Sequence, residues 1–164
     1  MSLTQDEAES LFKMKKTQVR ELSLTFPEDG SKIEIELCSE DRRYNFQADI
    51  NRHGHRLRKL IYQNRTGKVF VLRRLDFIGS PHSNPSNEPY DEHLKKYMNN
   101  DIPCPHVHLY IEGYNDKWAV PLADILDLKI EDTDDAYNIM ENFFRYCNID
   151  IPEFKPIGLF AWKI

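Results

Sequence analysis

Strict alternation of apolar and polar residues in two neighbouring segments is the strongest constraint on how this chain folds. The apolar positions are Ile33, Ile35 and Leu37 in the first segment and Tyr44, Phe46, Ala48 and Ile50 in the second. A period of two places alternate side chains on opposite faces of an extended backbone. Each segment is therefore predicted to form a half-buried strand of an antiparallel sheet.

Further strands and two helices are predicted along the chain. The strands cover residues 57–63, 69–77, 106–112, 118–122 and 159–163, with turn residues between neighbours. A helix over residues 4–16 begins at Thr4, which has capping-box spacing to Glu7. The apolar stripe of a second helix recurs at helical spacing through Ala136, Ile139, Met140, Phe143, Phe144 and Cys147.

These elements predict an α+β fold within a single domain over residues 1–164. Its main feature is a curved antiparallel sheet or partial barrel, with an N-terminal and a C-terminal helix. Residues 79–105 form a long polar connection that holds five of the nine prolines. Loops of this length are uncommon unless they are functional lids or disordered, and a short helix near residues 91–98 would divide this one.

The cysteines and the hydropathy pattern indicate a cytoplasmic protein. Cys38, Cys104 and Cys147 are odd in number and widely scattered, which argues against a disulfide framework and favours a reducing compartment. No apolar run approaches the roughly 18 residues that a membrane-spanning helix needs. We therefore expect no membrane partner.

The formal net charge of −5 conceals an uneven distribution. Between residues 50 and 75 there are eight basic residues and no acidic one, so this basic ribbon carries +8 and the rest of the chain −13. The ribbon consists of Arg52, Arg56, Arg58, Lys59, Arg65, Lys68, Arg73 and Arg74. Such a ribbon is typical of proteins that bind phosphate groups, and RNA is the predicted partner. The alternative is a solvated hairpin that pairs with acids of the same fold.

Strand parity separates two histidines from the predicted core. In the strand at residues 106–112, Val107, Leu109 and Ile111 share one face, and His106 and His108 lie on the other. Because aliphatic side chains already occupy the first face, we expect both histidines to face solvent or a cleft. The long connection that precedes this strand brings His82 into range.

Three chemistries suit these histidines. The first is metal-independent cleavage of RNA, in which His82, His106 and His108 transfer protons and Arg73 or Arg74 stabilises the phosphoryl group. The second is a metal site, since the His-x-His pair chelates well and His82 or His93 would supply a third ligand. The third is nucleophilic catalysis by Cys104 with one of the two histidines.

Three motifs carry a resemblance to other proteins: RLDFIGSPHSNP at residues 74–85, IPCPHVHLYIEG at 102–113 and DKWAVPL at 116–122. They resemble a family of small uncharacterised bacterial proteins, many of them from prophages and mobile elements of Gram-positive bacteria. The resemblance implies a phage-related, intracellular setting but assigns no activity and no catalytic residue.

The leading interpretation of the sequence is an RNA-acting, toxin-like protein. We predict that it is an endoribonuclease, which cleaves RNA internally, and that it needs no cofactor. In that scheme the nucleic-acid-binding residues are Arg52, Arg56, Arg58, Lys59, Arg65 and Lys68. One alternative is a non-enzymatic module that binds a protein partner through the N-terminal helix. Another is a metal-binding protein that uses His106 and His108.

Overall fold

The computed structural model describes residues 2–155 and 163–164. Its helices and strands, in chain order, are α1 (Gln5–Lys13), β1 (Lys16–Gln18), β2 (Leu24–Thr25), β3 (Lys32–Ser39), β4 (Asn45–Asn51), β5 (Leu60–Thr66), β6 (Phe70–Ile78), β7 (His82–Ser83), β8 (Asp101–Ile102), β9 (His106–Ile111), β10 (Asn115–Pro121), α2 (Ala136–Tyr146) and β11 (Phe154–Lys155). Two short 3₁₀ helices cover Glu92–Tyr97 and Leu122–Asp124.

In this part of the chain the main sheet has seven strands in the order β1-β3-β4-β5-β6-β9-β10. All neighbouring pairs are antiparallel, and the sheet is curled but not closed. The α+β fold with a helix near each end is therefore confirmed. No helix among the described residues is long and apolar enough to cross a membrane.

The longest strands lie close to their predicted positions. The predicted bounds of β5 were wrong. This strand runs from Leu60 to Thr66 rather than over residues 57–63. The turn that follows it contains Gly67 and Lys68, which both have a φ of 59°. Two consecutive left-handed residues match the twist of a tight hairpin, so the turn forms later than expected. The strand predicted at residues 159–163 lies outside the described residues, apart from its last residue.

Both helices begin after a residue whose side chain caps them. Thr4 and Glu7 form the predicted capping box of α1, whose buried residues include Leu11 and Phe12. Helix α1 lies against β6 and β9. Asp135 caps α2, and Tyr62 of β5 donates a hydrogen bond from its hydroxyl to the carbonyl of Ala136 (2.5 Å). The apolar stripes of both helices thus form part of the core.

The long connection at residues 79–105 is folded against the last strand of the sheet. Within it β7 pairs with β8, and the 3₁₀ helix Glu92–Tyr97 follows β7. The buried Asn84 side chain donates to the carbonyl of Ala119 (2.8 Å) and accepts from the backbone N–H of the same residue (2.8 Å). The Asn84 amide thus forms the same pair of hydrogen bonds with the backbone of β10 that a neighbouring strand would form. These bonds hold the segment that carries His82 against β10.

Candidate functional site

Strands β6 and β9 bring the site together because they are neighbours in the sheet although a long connection separates them in sequence. Their register pairs Arg74 with His108 and Asp76 with His106. Since alternate residues of a strand share a face, the two residues of β6 and the two histidines of β9 lie on one side. The result is a compact polar cluster formed by two carboxylate oxygens, two imidazoles and a guanidinium.

Three ligand-type atoms of this cluster converge on one another. His106 Nε2 lies 3.1 Å from His108 Nε2, and Asp76 Oδ2 lies 3.4 Å from the first and 3.6 Å from the second. Both histidines are almost fully buried, with 0% and 1% of their surface exposed, and Asp76 retains 6%. We call Asp76, His106 and His108 the triad.

The hydrogen bonds of His108 fix its tautomer. Its Nδ1 lies 2.8 Å from the carbonyl oxygen of Asp116, which can only accept, so Nδ1 carries the proton. In the neutral ring Nε2 is then an acceptor, and Arg74 Nη2 donates to it from 3.0 Å. The lone pair of His108 is therefore directed at the centre of the triad.

Arg74 is the positive charge of the cluster. Its Nε and Nη2 donate to the two oxygens of Asp76 over 2.6 and 2.9 Å, and its Nη1 lies 3.5 Å from Asp116 Oδ2. Burial favours the neutral acid, but hydrogen bonds from His106 and Arg74, together with the positive charge of Arg74, outweigh it and hold the pKa of Asp76 well below its usual range. The carboxylate is thus charged and available as an anionic ligand.

His82 lies beside the triad but outside it. Its ring centroid is 4.5 Å from that of His108 and 6.2 Å from that of His106. Its Nε2 donates to the carbonyl of Lys117 over 2.7 Å, which leaves Nδ1 without a proton in the neutral ring. Burial lowers the pKa of His82, and the nearby His108, His106 and Arg74 add to this effect. A neutral imidazole therefore covers the triad.

Cys104 is the nearest sulfur to the triad. Its Sγ lies 3.7 Å from His106 Nδ1 and 3.6 Å from the carbonyl oxygen of Ser80. Burial raises the pKa of the Cys104 thiol to about 11, with a further contribution from the negative charge of Asp76. The thiol form dominates at neutral pH, so this environment does not favour nucleophilic catalysis by cysteine.

A cavity of about 470 Å³ opens beside the triad on the same side of the sheet. Arg74, Asp76 and His82 line its inner end, together with residues 79–81. Neither His106 nor His108 is part of its lining, so the cavity reaches the triad through Asp76. Its remaining lining residues are Lys32, Ile33, Glu34, Asp49, Asn51, Lys59, Ile61, Gln63 and Arg65.

The model of a protein family of unknown function, DUF6978, matches residues 3–149. The chain belongs to DUF6978. The match covers the triad, His82 and all three motifs, so membership in an uncharacterised family, expected from those motifs, is confirmed. Neither a curated protein nor a solved structure matches the chain.

Within this DUF6978 chain, the expectation that His106 and His108 face solvent or a cleft is wrong, because both are buried and neither lines the cavity. The segment that carries His82 folds over them, and the side chains of β6 occupy the remaining space. The structure does bring His82, His106, His108 and Arg74 together, as the sequence predicted. Arg73 points elsewhere: it bonds Glu9 (2.9 Å) and Tyr146 (3.2 Å) and stacks on the ring of Phe12.

Asp76 is the residue of the site that the sequence prediction missed. It lies two positions after Arg74, so strand parity placed it on the same face, but only the pairing of β6 with β9 reveals its histidine partners.

The other histidines of this DUF6978 chain lie apart from the triad. His93 is exposed and bonds Asp91 (2.9 Å), and His53 and His55 contact each other.

Most of the basic ribbon is engaged within the DUF6978 fold. Arg52 is buried and donates to the carbonyls of Pro27 and Lys163. The ion pairs of the ribbon outside the site are Arg58–Asp29, Arg65–Asp49, Lys68–Glu36 and Arg73–Glu9. Apart from Arg52, which these interactions engage, Arg56 and Lys59 are the ribbon cations without an ion pair to any described residue, and both are exposed.

Proposed function

We propose that the protein binds a divalent transition-metal ion through Asp76, His106 and His108. The observation that carries this proposal is the convergence of the three ligand atoms at separations of 3.1, 3.4 and 3.6 Å. Metal–ligand bonds of about 2.0–2.1 Å in tetrahedral geometry place neighbouring ligand atoms roughly 3.4 Å apart. One ion can therefore contact all three atoms with little movement of the side chains.

The donor set also fits such an ion. Two imidazole nitrogens and one carboxylate oxygen suit Zn²⁺ or Fe²⁺, and three protein ligands leave a coordination position open. An ion bound there polarises a substrate oxygen or lowers the pKa of a bound water. The carbonyl of Asp116 holds His108 in the tautomer that a ligand needs, as outer hydrogen bonds do in metal sites.

Replacement of the carboxylate provides the test. We expect the untagged wild-type protein to bind one Zn²⁺ per chain in calorimetric titration, and Asp76→Asn to bind it more than about 100-fold less tightly. Asp91→Asn is the matched control, because Asp91 also bonds a histidine but lies exposed and away from the triad. We expect this control to bind Zn²⁺ as the wild type does.

Substitution with Co²⁺ gives a readout that needs no variant. Visible absorption bands of Co²⁺ bound to the wild type should show a site with nitrogen and oxygen ligands and without a thiolate. Absence of Zn²⁺ binding by the wild type, or equal binding by Asp76→Asn, would overturn the proposal.

Metal-independent cleavage of RNA is the second candidate, and the position of Arg74 favours it. Arg74 Nη2 lies 3.0 Å from His108 Nε2, so a cation adjoins two groups that could act as base and acid. Both imidazoles are buried, so this mechanism needs the segment around His82 to open. RNA cleavage that persists in EDTA and disappears in His106→Ala would favour this candidate over the metal site.

The remaining sequence predictions stay predictions. They comprise a phage-related origin, a cytoplasmic location and a protein partner bound through the N-terminal helix. Because the apolar stripe of α1 packs against the sheet, such a partner would contact the polar face of this helix.

A further inference from the structure

The cavity beside the triad is a groove that crosses four strands. Lys32 of β3 is paired with Asn51 of β4, Asn51 with Ile61 of β5, and Ile61 with Asp76 of β6. All four residues line the cavity. Three steps between neighbouring strands correspond to about 14 Å in a flat sheet, and the curl of this sheet shortens the distance. The groove thus connects the triad with a point far from it.

The cations available to a ligand lie along the length of the groove. Arg74 lies at the inner end beside the triad, and Lys32 lies at the outer end on β3. Lys59 lies between them, directly before β5, whose first residue Leu60 pairs with Ile78 of β6. Lys32 and Lys59 are exposed and form no ion pair with any described residue. Phosphates spaced along the groove would therefore each find a cation.

The middle of the groove is polar and largely neutral. Asp49 is engaged by Arg65, whose Nε and Nη2 approach its carboxylate to 2.9 and 3.0 Å, and it also accepts from Gln63 (3.0 Å). With Asp49 and Asp76 each paired to an arginine, Glu34 is the one acid of the described lining without such a partner, and it lies on β3 two residues from Lys32. A metal ion at the triad adds two positive charges, so the loaded groove has a clear excess of positive charge.

We propose that this groove binds a short single-stranded oligonucleotide, with one phosphate at the triad and Arg74, the next at Lys59 and a third at Lys32. The proposal rests on the metal site proposed above and names its substrate class. A volume of about 470 Å³ falls within the usual range for ligand sites, about 300–1,000 Å³. The spacing of the cations, rather than the volume alone, selects a ligand with several phosphates along its length.

The length of the ligand is the variable to test. The probes are uridine monophosphate, the trinucleotide pUpUpU and its deoxythymidine counterpart, titrated into Zn²⁺-loaded protein at low salt. We expect pUpUpU to bind about 10-fold more tightly than the monophosphate, because its outer phosphates reach both ends of the groove. The deoxy trinucleotide distinguishes RNA from DNA as the source of the phosphates, since tighter binding of pUpUpU indicates contacts to the 2′-hydroxyl.

Two variants show whether Lys32 and Lys59 are responsible. The double variant Lys32→Gln/Lys59→Gln should lower the affinity for pUpUpU to about that for the monophosphate and leave binding of the monophosphate unchanged. Arg56→Gln is the matched control, because Arg56 is an equally exposed and unpaired ribbon cation outside the groove. It should bind both probes as the wild type does.

The outcomes separate this inference from the metal site. Zn²⁺ binding without any preference for pUpUpU over the monophosphate overturns the groove and leaves the metal site intact. An unchanged preference in the double variant also overturns it. Absence of Zn²⁺ binding overturns the metal site itself, and the titration of metal-free protein then reports on the groove alone.

Discussion

Arg74 occupies the place where a bound cation would be most stable. Its Nη2 lies 3.0 Å from His108 Nε2 and 2.9 Å from Asp76 Oδ2, two of the three atoms that we assign to the metal. A guanidinium and a divalent ion repel each other at such distances. Arg74 must therefore give up at least one of these contacts when a metal binds, and Asp116, 3.5 Å from its Nη1, is the carboxylate that can retain it.

This competition predicts that removal of the guanidinium strengthens metal binding. We expect Arg74→Gln to bind Zn²⁺ about 10-fold more tightly than the wild type in calorimetric titration, because the ion no longer displaces a positive charge. Arg65→Gln is the control, since Arg65 lines the same cavity but bonds Asp49 rather than the triad. Weaker binding by Arg74→Gln would show instead that the arginine holds Asp76 in place for the metal.

At the scale of single residues, the sequence could predict the strand face on which the site residues lie, and nothing more about the site. It correctly separated His106 and His108 from the aliphatic face of β9, since side-chain direction alternates along any strand. It could not predict their burial, which depends on a segment more than twenty residues earlier in the chain, or the role of Asp76, which depends on the pairing of β6 with β9. Both are consequences of tertiary structure.

At the scale of elements, Lys16 connects the two helices with the edge of the sheet. This side chain is fully buried, and its Nζ donates to the carbonyls of Phe12 and Met14 near the end of α1 and of Cys147 after α2. The last carbonyls of a helix lack partners within the helix. One ammonium group therefore satisfies the ends of both helices, and it also lies over the ring of Phe46.

The burial of Lys16 predicts a specific pH dependence of stability. Burial lowers its pKa from 10.5 to about 8, so between these values the unfolded chain binds more protons than the folded one. The free energy of unfolding contributed by Lys16 therefore rises with pH across this interval, by up to about 3 kcal/mol. Urea unfolding at pH 8 and pH 10.5 should show this rise as a difference between the wild type and Lys16→Met. The buried thiols of Cys104 and Cys147, whose raised pKa values make stability fall over the same interval, are present in both proteins.

The control for this prediction is the neighbouring exposed lysine. Lys15→Met removes a surface ion pair with Glu40 and should keep the pH dependence of the wild type. At pH 7 Lys16→Met should also be less stable by about 2–4 kcal/mol, because three carbonyls lose their donor. The same pH dependence in Lys16→Met and the wild type would assign the effect to other groups.

The predictions for whole elements succeeded where a long periodic pattern was present. The eight residues of β3 and the eleven of α2 carry enough repeats to define a period. The short strands β1, β2, β7, β8 and β11 have two or three residues each, so their pairing partners define them and local pattern does not. For the same reason, the fold of residues 79–105 follows from contacts such as Asn84 with Ala119 rather than from its own sequence.

At the scale of the whole molecule, the division of charge along the sequence is largely cancelled in space. The ribbon folds back on the acidic part of the chain, and several of its cations are paired with acids from β3, β4, α1 and the turn before β3. The cations that stay unpaired beside the groove include Lys32, which lies outside the ribbon. The charge of a sequence segment therefore does not show which of its cations stay unpaired in the folded protein.

The metal site predicts a change in the stability of the whole fold, because the triad joins β6 to β9 across the loop of residues 79–105. A ligand that binds only the folded state at 100 times its Kd stabilises that state by about 2.7 kcal/mol. For a chain of this length we expect the thermal unfolding midpoint to rise by about 5–10 °C with Zn²⁺. The rise should reverse on addition of EDTA and be absent in Asp76→Asn, whereas Asp91→Asn should respond as the wild type does. A rise of equal size in Asp76→Asn would mean that Zn²⁺ stabilises the protein at another site, and the triad would then be a buried polar network without a metal.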